Sequence, residues 1–132
     1  MSRLRLPPPA RAVLAVTLAW ALAGCTHTTR VGRSRTLHVA LSEYRVAPDT
    51  VRAYSGTLTI TVRNLGVRTH DLAISQGGLN VAGGVTPDLI PGQTATMTVD
   101  LAPGQYMLRS TITGDQALGL WGTLDVVATH RT

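Results

Sequence analysis

The sequence contains no phenylalanine and no lysine, and it has a single cysteine, Cys25. One cysteine excludes an intramolecular disulfide, so the fold must depend on core packing even in an oxidising compartment. Without phenylalanine, the core must be built mainly from valine, leucine, isoleucine and methionine. The bulky residues that could join it are Tyr44, Tyr54, Tyr106 and Trp121.

The excess of positive charge is concentrated at the start of the chain. The whole sequence has 12 arginines against seven acidic residues, a formal net charge of +5. Residues 1–24 hold three of these arginines, so the rest carries nine against seven, a net charge of +2. The remaining arginines are scattered and are not interleaved with aromatic residues, as a nucleic-acid surface would require. A nucleic-acid partner is therefore not expected.

An apolar run follows the basic start. Residues 12–23 read AVLAVTLAWALA, and the order of basic and apolar segments is typical of a signal peptide. The run is short for a membrane span. It ends in LAGC at residues 22–25, which resembles the lipobox of bacterial lipoproteins, where the cysteine thiol receives a diacylglyceryl group.

This resemblance implies cleavage before Cys25 and a lipid anchor on it. We therefore expect a signal peptide at 1–24, the lipidated cysteine and a flexible tether at 25–35, one domain at 36–128 and a tail at 129–132. The expected location is the extracytoplasmic or periplasmic side of the cell membrane. The alternative is an ordinary secretory signal cleaved elsewhere, with an incidental thiol at Cys25.

Period-2 alternation of apolar residues dominates the expected domain, and it predicts short strands with one face on a core. Turn-forming glycine, proline, asparagine and aspartate residues separate the strands, which indicates an all-β antiparallel sandwich. The alternating runs are Leu37–Leu41, Leu58–Val62, His70–Ile74, Ala95–Leu101, Tyr106–Leu108 and Leu124–Val126. The glycine-rich segment 76–93 is expected to be a long irregular loop or crossover.

The stretch 103–124, PGQYMLRSTITGDQALGLWGTL, is similar to the copper-binding loop of cupredoxins. In that family the loop reads roughly P-G-x-Y-x-x-x-C-x4-H-x4-M-x-G-x-L, and its Cys, His and Met bind copper. The ligand positions here hold Ser110, Asp115 and Leu120. The frame of the loop matches at Pro103, Gly104, Tyr106, Gly114, Gly119, Gly122 and Leu124.

A second segment carries the same resemblance. Residues 58–74, LTITVRNLGVRTHDLAI, resemble the cupredoxin strand-turn-strand that presents the first histidine ligand, and His70 matches that ligand. The turns at 90–93 and 102–106 also resemble those of the family. The resemblance covers about residues 37–127 and implies a Greek-key, cupredoxin-like β-sandwich.

The substituted loop argues against the usual function of the family. A type 1 copper centre needs a thiolate, two imidazoles and a weak axial thioether. Only His70 is kept, because Ser110 is a poor ligand, Asp115 is a hard carboxylate and Leu120 has no donor atom. We therefore expect a domain without a working type 1 centre, without a cofactor and without enzyme activity. It would act as a binding module for an unidentified extracytoplasmic protein.

Other interpretations use the same residues. A copper-binding or electron-transfer protein could use an atypical site that includes His70, and a weak hard-metal site could use His70 with Asp115. The resemblance also brings His70, Ser110 and Asp115 together, as a hydrolytic triad requires, although nothing indicates an oxyanion hole. The three side chains could equally satisfy one another's hydrogen bonds.

Apolar residues near the loop also have two interpretations. Leu118, Leu120 and Trp121 lie where cupredoxins expose their metal-end loop, so they could form a partner surface. Alternatively, they fill the former metal pocket. Met97 falls on the inward phase of its strand and is expected in the core, whereas Met107 is expected to point away from the site.

Overall fold

The computed structural model describes residues 27–129. The expected signal peptide, Cys25 and residues 130–132 therefore lie outside the described residues. Within residues 27–129, no helix is long and apolar enough to cross a membrane.

The described chain forms ten strands and one short 3-10 helix. A six-stranded sheet has the order β1-β4-β10-β9-β6-β7, and a four-stranded sheet has the order β3-β2-β5-β8. The elements are β1 (Thr29–Arg30), β2 (Thr36–Ser42), β3 (Arg45–Ala47), β4 (Thr50–Tyr54), β5 (Gly56–Asn64), β6 (Ala73–Gln76), β7 (Leu79–Val85), β8 (Thr94–Leu101), β9 (Gly104–Arg109), the 3-10 helix (Gln116–Leu118) and β10 (Trp121–Val127). One hydrophobic core draws residues from both sheets, which confirms the expected all-β sandwich.

Both sheets contain parallel as well as antiparallel pairs. In the four-stranded sheet β2 runs parallel to β5, with Leu37 opposite Ile60. In the six-stranded sheet β4 runs parallel to both β1 and β10. Side chains alternate with the same period in either kind of pair. The sequence pattern therefore predicted the faces of the strands and could not distinguish their directions.

The expected inward faces form the core. Nearly all of their residues are buried, Met97 included, and Ala95 is only partly buried. The fully buried positions are filled mostly by leucine, isoleucine and valine. Burial of these side chains is worth about 1.5–3 kcal/mol each, so the alternating aliphatic residues supply the main driving force for the sandwich.

Aromatic side chains contribute less to the core than the sequence suggested. Among the aromatic residues in 27–129, only Tyr106 is buried, and its hydroxyl donates to the carbonyl of Ala102 at 2.8 Å. Tyr44, Tyr54 and Trp121 are 43%, 51% and 47% exposed. The expectation that they are bulky core residues is wrong, because aliphatic side chains already fill the space between the sheets.

Part of the segment expected to be a flexible tether belongs to the sandwich. Thr29 lies opposite Val51 in the parallel pair of β1 and β4. The N–H of Val31 donates to the Arg52 carbonyl at 2.9 Å, and the Val31 side chain joins the core. Structure therefore begins well before Thr36. A two-residue strand is too short to show any periodicity in the sequence.

The glycine-rich segment 76–93 is also more regular than expected. It contains β7, which pairs with β6 through Gln76 and Leu79. Gly83 has a φ of 71°, a left-handed conformation that disfavours other residues. Glycine content therefore marked bends within and around a strand.

Four connections meet at one end of the sandwich, which we call the loop end. They are residues 43–44, 65–72, 86–93 and 110–120, which follow β2, β5, β7 and β9 respectively. Hydrogen bonds join them: His70 exchanges backbone bonds with Leu89, and side-chain bonds link His70 to Asp115 and Glu43. Strands β2 and β5 run toward this end, and β4 and β10 run away from it.

Candidate functional site

His70 lies at the centre of the loop end and is 1% exposed. Its Nδ1 is 2.8 Å from Oδ2 of Asp115, and its Nε2 is 3.2 Å from Oε1 of Glu43. Both contacts face carboxylate oxygens, so an imidazolium that donates from both nitrogens satisfies them fully. Neither ring nitrogen is left to bind another group.

Asn64 shapes the loop that presents His70. Its side-chain amide donates to the carbonyls of Arg68 and Leu89, both at 2.7 Å, and its Oδ1 accepts the N–H of Gly66 at 2.8 Å. Asn64 is fully buried, and these bonds satisfy its side-chain amide within the turn. The asparagine therefore fixes the path of the chain into His70.

Asp115 begins the 3-10 helix and receives a second donor. The Ser110 hydroxyl is 2.8 Å from the same Oδ2 that faces His70. The structure thus brings together the three polar residues that the sequence placed in the former metal site. His70 and Ser110 both contact the Asp115 carboxylate, which therefore holds the three residues together.

Ser110 faces carboxylates and does not pair with the imidazole. Its Oγ is 2.8 Å from Oδ1 of Asp71 and 2.8 Å from Oδ2 of Asp115. A hydrolytic serine needs a base in hydrogen-bond reach, and both nitrogens of His70 are engaged elsewhere. The geometry therefore does not assemble the nucleophile and base of a triad.

Asp71 is a member of the site that the sequence reasoning missed. It is 2% exposed and accepts the Thr111 N–H at 2.7 Å and the Thr111 hydroxyl. Consecutive residues of a strand point to opposite faces, so a pattern that buried His70 placed its neighbour outside. The one sequence signal for Asp71 was its place directly after His70, which matches a ligand position of the family.

Glu43 is the second missed member. Its Oε1 accepts the N–H groups of Val67 and Arg68 at 2.7 and 3.0 Å. Burial raises the pKa of Glu43, but the Arg68 and Val67 donors, its own N–H and His70 outweigh this and lower the pKa from 4.5 to about 2. Glu43 is therefore ionised throughout the neutral range. A side chain at Gly66 would collide with its carboxylate.

Leu120 joins the core next to the loop that holds Ser110 and Asp115 in the chain. It is fully buried within the core, and its N–H donates to the Asp115 carbonyl at 3.0 Å. The expectation that Leu120 contributes to a partner surface is wrong, because its side chain is buried in the core. Leu118 and Trp121 remain 58% and 47% exposed.

These residues do not fit a type 1 copper ion. Ser110 and Leu120 provide neither thiolate nor thioether, and the one imidazole has both nitrogens bound to carboxylates. In residues 27–129, no group of three or more His, Cys, Asp or Glu side chains is arranged to hold a metal. No buried side-chain nitrogen or oxygen in that range lacks a partner. The network is therefore complete without an added ligand.

Comparison with known proteins gives the family. The model of the cupredoxin-like domain family matches residues 13–119, which is most of the chain. The protein therefore belongs to the cupredoxin-like domain family, as the loop at 103–124 and the position of His70 predicted. A search of curated proteins found no match.

Solved structures agree with this fold. Reduced auracyanin from Roseiflexus castenholzii is 25% identical, with 73% of this chain and 99% of that chain covered and a TM-score of 0.65. Auracyanin A from Chloroflexus aurantiacus, a "blue" copper protein, is 18% identical, with 74% and 99% covered and a TM-score of 0.60. A copper-containing nitrite reductase from Thermus scotoductus is 19% identical, with 83% and 30% covered and a TM-score of 0.58. Enzymes share this fold, so function must be argued from the site.

Proposed function

We propose that this protein is a membrane-anchored extracytoplasmic lipoprotein whose cupredoxin-like domain lacks a type 1 copper centre and acts as a binding module. The carrying observation is the pair of carboxylates on His70, from Asp115 and Glu43. A histidine held in this way must lose a charge-assisted hydrogen bond before it can bind a metal. Leu120, at the position of the family's methionine, is buried and has no donor atom for a metal.

The sequence pattern supports the anchor. A basic start, an apolar run and a small-residue segment precede Cys25 in the order that lipoproteins use. The proposed partners are the membrane, through the lipid on Cys25, and an extracytoplasmic protein. One lipid-modified cysteine carries at least two acyl chains, which suffices for stable anchoring.

A concave surface on the outer face of the six-stranded sheet, which reaches the loop end at Gln116, supports a binding role. The six-stranded sheet carries a cavity of about 670 Å³ between β6, β9 and β10. Its lining combines the apolar Met107 with the polar Gln105, Arg109 and Asp125. A mixture of apolar surface and a few polar groups is typical of binding sites. Met107 lies here, consistent with the expectation that it points away from the former metal site.

Two measurements test the proposal. Purified protein titrated with Cu(II) should show no intense visible thiolate-to-copper band, and such a band would overturn the central claim. A photo-crosslinker at Met107 should capture a discrete protein in intact cells, identified by mass spectrometry. The same crosslinker at Thr96, exposed on β8 of the other sheet, is the matched control. Equal labelling from both positions would argue against a specific surface.

The copper-binding relatives favour one second candidate, a copper-handling protein that uses His70 in an atypical site. Calorimetry distinguishes it from the binding module. Sub-micromolar copper affinity that disappears in His70→Ala but persists in His38→Ala would replace our proposal, because His38 is exposed on β2. We expect neither variant to change the weak binding of copper to the surface.

A further inference from the structure

The direction of β1 determines the end from which the chain enters the domain. Thr29 and Leu124 both lie opposite Val51, and the strands that carry them run parallel. Strand β10 starts at Trp121, next to the connection 110–120, and runs away from the loop end. The residues that precede Thr29 therefore approach it from the loop end.

The distance from the proposed lipid to β1 is short. Cys25 precedes Thr29 by four residues. A fully extended chain of that length spans at most about 14 Å. A lipid on Cys25 would therefore hold the bilayer close to the edge strand β1, on the side from which the chain enters.

Exposed apolar side chains are concentrated at the same end. Six of the nine large hydrophobic residues that are exposed in residues 27–129 lie there. They are Tyr44, Leu65, Val67, Ile90, Leu118 and Trp121. Tyr54 and Leu79 lie toward the opposite end, and Val85 lies at the end of the edge strand β7. An apolar cluster of this kind on a folded domain marks a contact surface.

The hydrogen-bond network holds these side chains in place. Val67 is fixed through its N–H to Glu43. Tyr44 has a left-handed φ of 62°, and its carbonyl lies so close to Gly119 that a Cβ there would be 2.8 Å away. The surface is therefore preformed, and contact with it requires little further ordering of the backbone.

The charged residues at the loop end do not identify what covers its apolar surface. The exposed charged residues at or beside these connections are Arg45, Arg63 and Arg68 against Asp49 and Asp88, a net charge of only +1. A surface that depended on anionic lipid would carry an excess of basic residues. Contact through apolar and aromatic side chains suits the interface of a bilayer of any charge, where tryptophan and tyrosine are enriched.

We propose that the loop end of the domain lies against the lipid bilayer, with Val67, Leu118 and Trp121 in the interfacial layer. This rests on the proposed lipidation of Cys25. It assigns the exposed apolar surface to lipid, and it leaves the cavity at Met107, on the face of the six-stranded sheet, open to a protein partner. The polar network at His70 then supports a membrane-contacting surface.

Trp121 reports directly on this contact, because the sequence has only two tryptophans and Trp20 lies in the expected signal peptide. The lipidated protein is inserted into phosphatidylcholine vesicles, and Trp121 fluorescence is compared with that of Cys25→Ser in solution. We expect a blue-shifted emission, a severalfold reduction in iodide quenching, and quenching by lipids brominated near the headgroup.

Two sets of variants serve as controls. Val67→Asp with Leu118→Asp should restore iodide quenching of Trp121, whereas Leu79→Asp, toward the opposite end, should not. Moving the anchor provides a second control: Cys25→Ser combined with Thr129→Cys, coupled to a maleimide lipid, attaches the bilayer beyond the end of β10. Trp121 should then be as accessible to iodide as it is in solution.

The outcomes separate this proposal from the lipoprotein itself. Protein that floats with vesicles while Trp121 stays fully accessible overturns the orientation and leaves the anchor intact. Protein that lacks the diacylglyceryl mass and does not float overturns the anchor, and the orientation with it. Protection of Trp121 in native membranes but not in pure lipid vesicles overturns the lipid assignment in favour of a protein occupant.

Discussion

Asp115 and His70 lie 45 residues apart in the chain, and their side chains meet at 2.8 Å, carboxylate oxygen to ring nitrogen. In cupredoxins the matching residues are both copper ligands, as the resemblance of the loop implies. Here the two side chains bind each other. A direct hydrogen bond therefore joins the β5–β6 and β9–β10 connections.

Removing the Asp115 carboxylate should destabilise the fold. Asp115→Ala leaves Nδ1 of His70 without its acceptor, whereas the Ser110 hydroxyl keeps Asp71. An unsatisfied buried polar group costs about 1–3 kcal/mol, so the free energy of unfolding should fall by at least that amount. Urea unfolding measures it. The control Asp88→Ala, exposed at the same end, should change stability by no more than about 0.5 kcal/mol. Equal losses in both variants would contradict a specific role for Asp115.

Leu120 and Leu118 should respond differently to truncation. Leu120 is fully buried, whereas Leu118 is 58% exposed. Leu120→Ala should lower the free energy of unfolding by about 2–5 kcal/mol, because it removes buried surface and leaves a cavity. Leu118→Ala should cost less than about 0.5 kcal/mol. Thermal unfolding of the pair is the measurement. A small effect at Leu120 would show that it does not plug the former metal pocket.

Glu43 should make stability depend on pH in the acid range. Its pKa falls from 4.5 to about 2 on folding, so its contribution is fully present above pH 4.5 and is lost as pH falls toward 2. Glu43→Gln should therefore be less stable than the wild type at pH 6, and the difference should shrink below pH 4. Denaturant titrations at pH 6, 4 and 3 test this. Asp100→Asn, exposed on β8, should show no such convergence.

Restoring the family ligands should restore a copper centre. Ser110→Cys, Asp115→His and Leu120→Met together, with His70, supply a thiolate, two imidazoles and a thioether. We expect an intense visible absorption band on addition of Cu(II). Asp115→His with Leu120→Met alone should remain colourless, because the band requires the thiolate. A triple variant that stays folded and colourless would show that the loop positions do not converge as the alignment requires.

The faces of the strands could be predicted from the sequence, and their partners could not. Leu58, Ile60 and Val62 are buried as their alternation indicates, because a strand has two faces whatever its neighbours. The alternation did not indicate that β2 and β5 pair in parallel. Strand β1 has only two residues, Thr29 and Arg30, which are too few to show a periodic pattern.

The members of the candidate site were also predicted only in part from the sequence. Motif spacing placed Ser110 and Asp115 next to His70, because those positions share a loop frame with the family. Glu43 lies in a turn that carries no periodic signal, whereas the alternation of His70–Ile74 placed Asp71 on the outer face although it is buried. Their partners lie 27 and 39 residues away in the chain, so only the folded structure brings them together.

The edge strand β1 has a consequence for any form of the domain that is trimmed from its N-terminal side. It covers β4, which would otherwise be an edge of the six-stranded sheet. An uncovered strand edge pairs readily with other chains. A cut before Thr29 would leave β4 covered, whereas a cut after Val31 would uncover it and yield a form prone to association. The residues from Thr29 to Val31 thus decide whether the trimmed domain keeps a covered sheet edge.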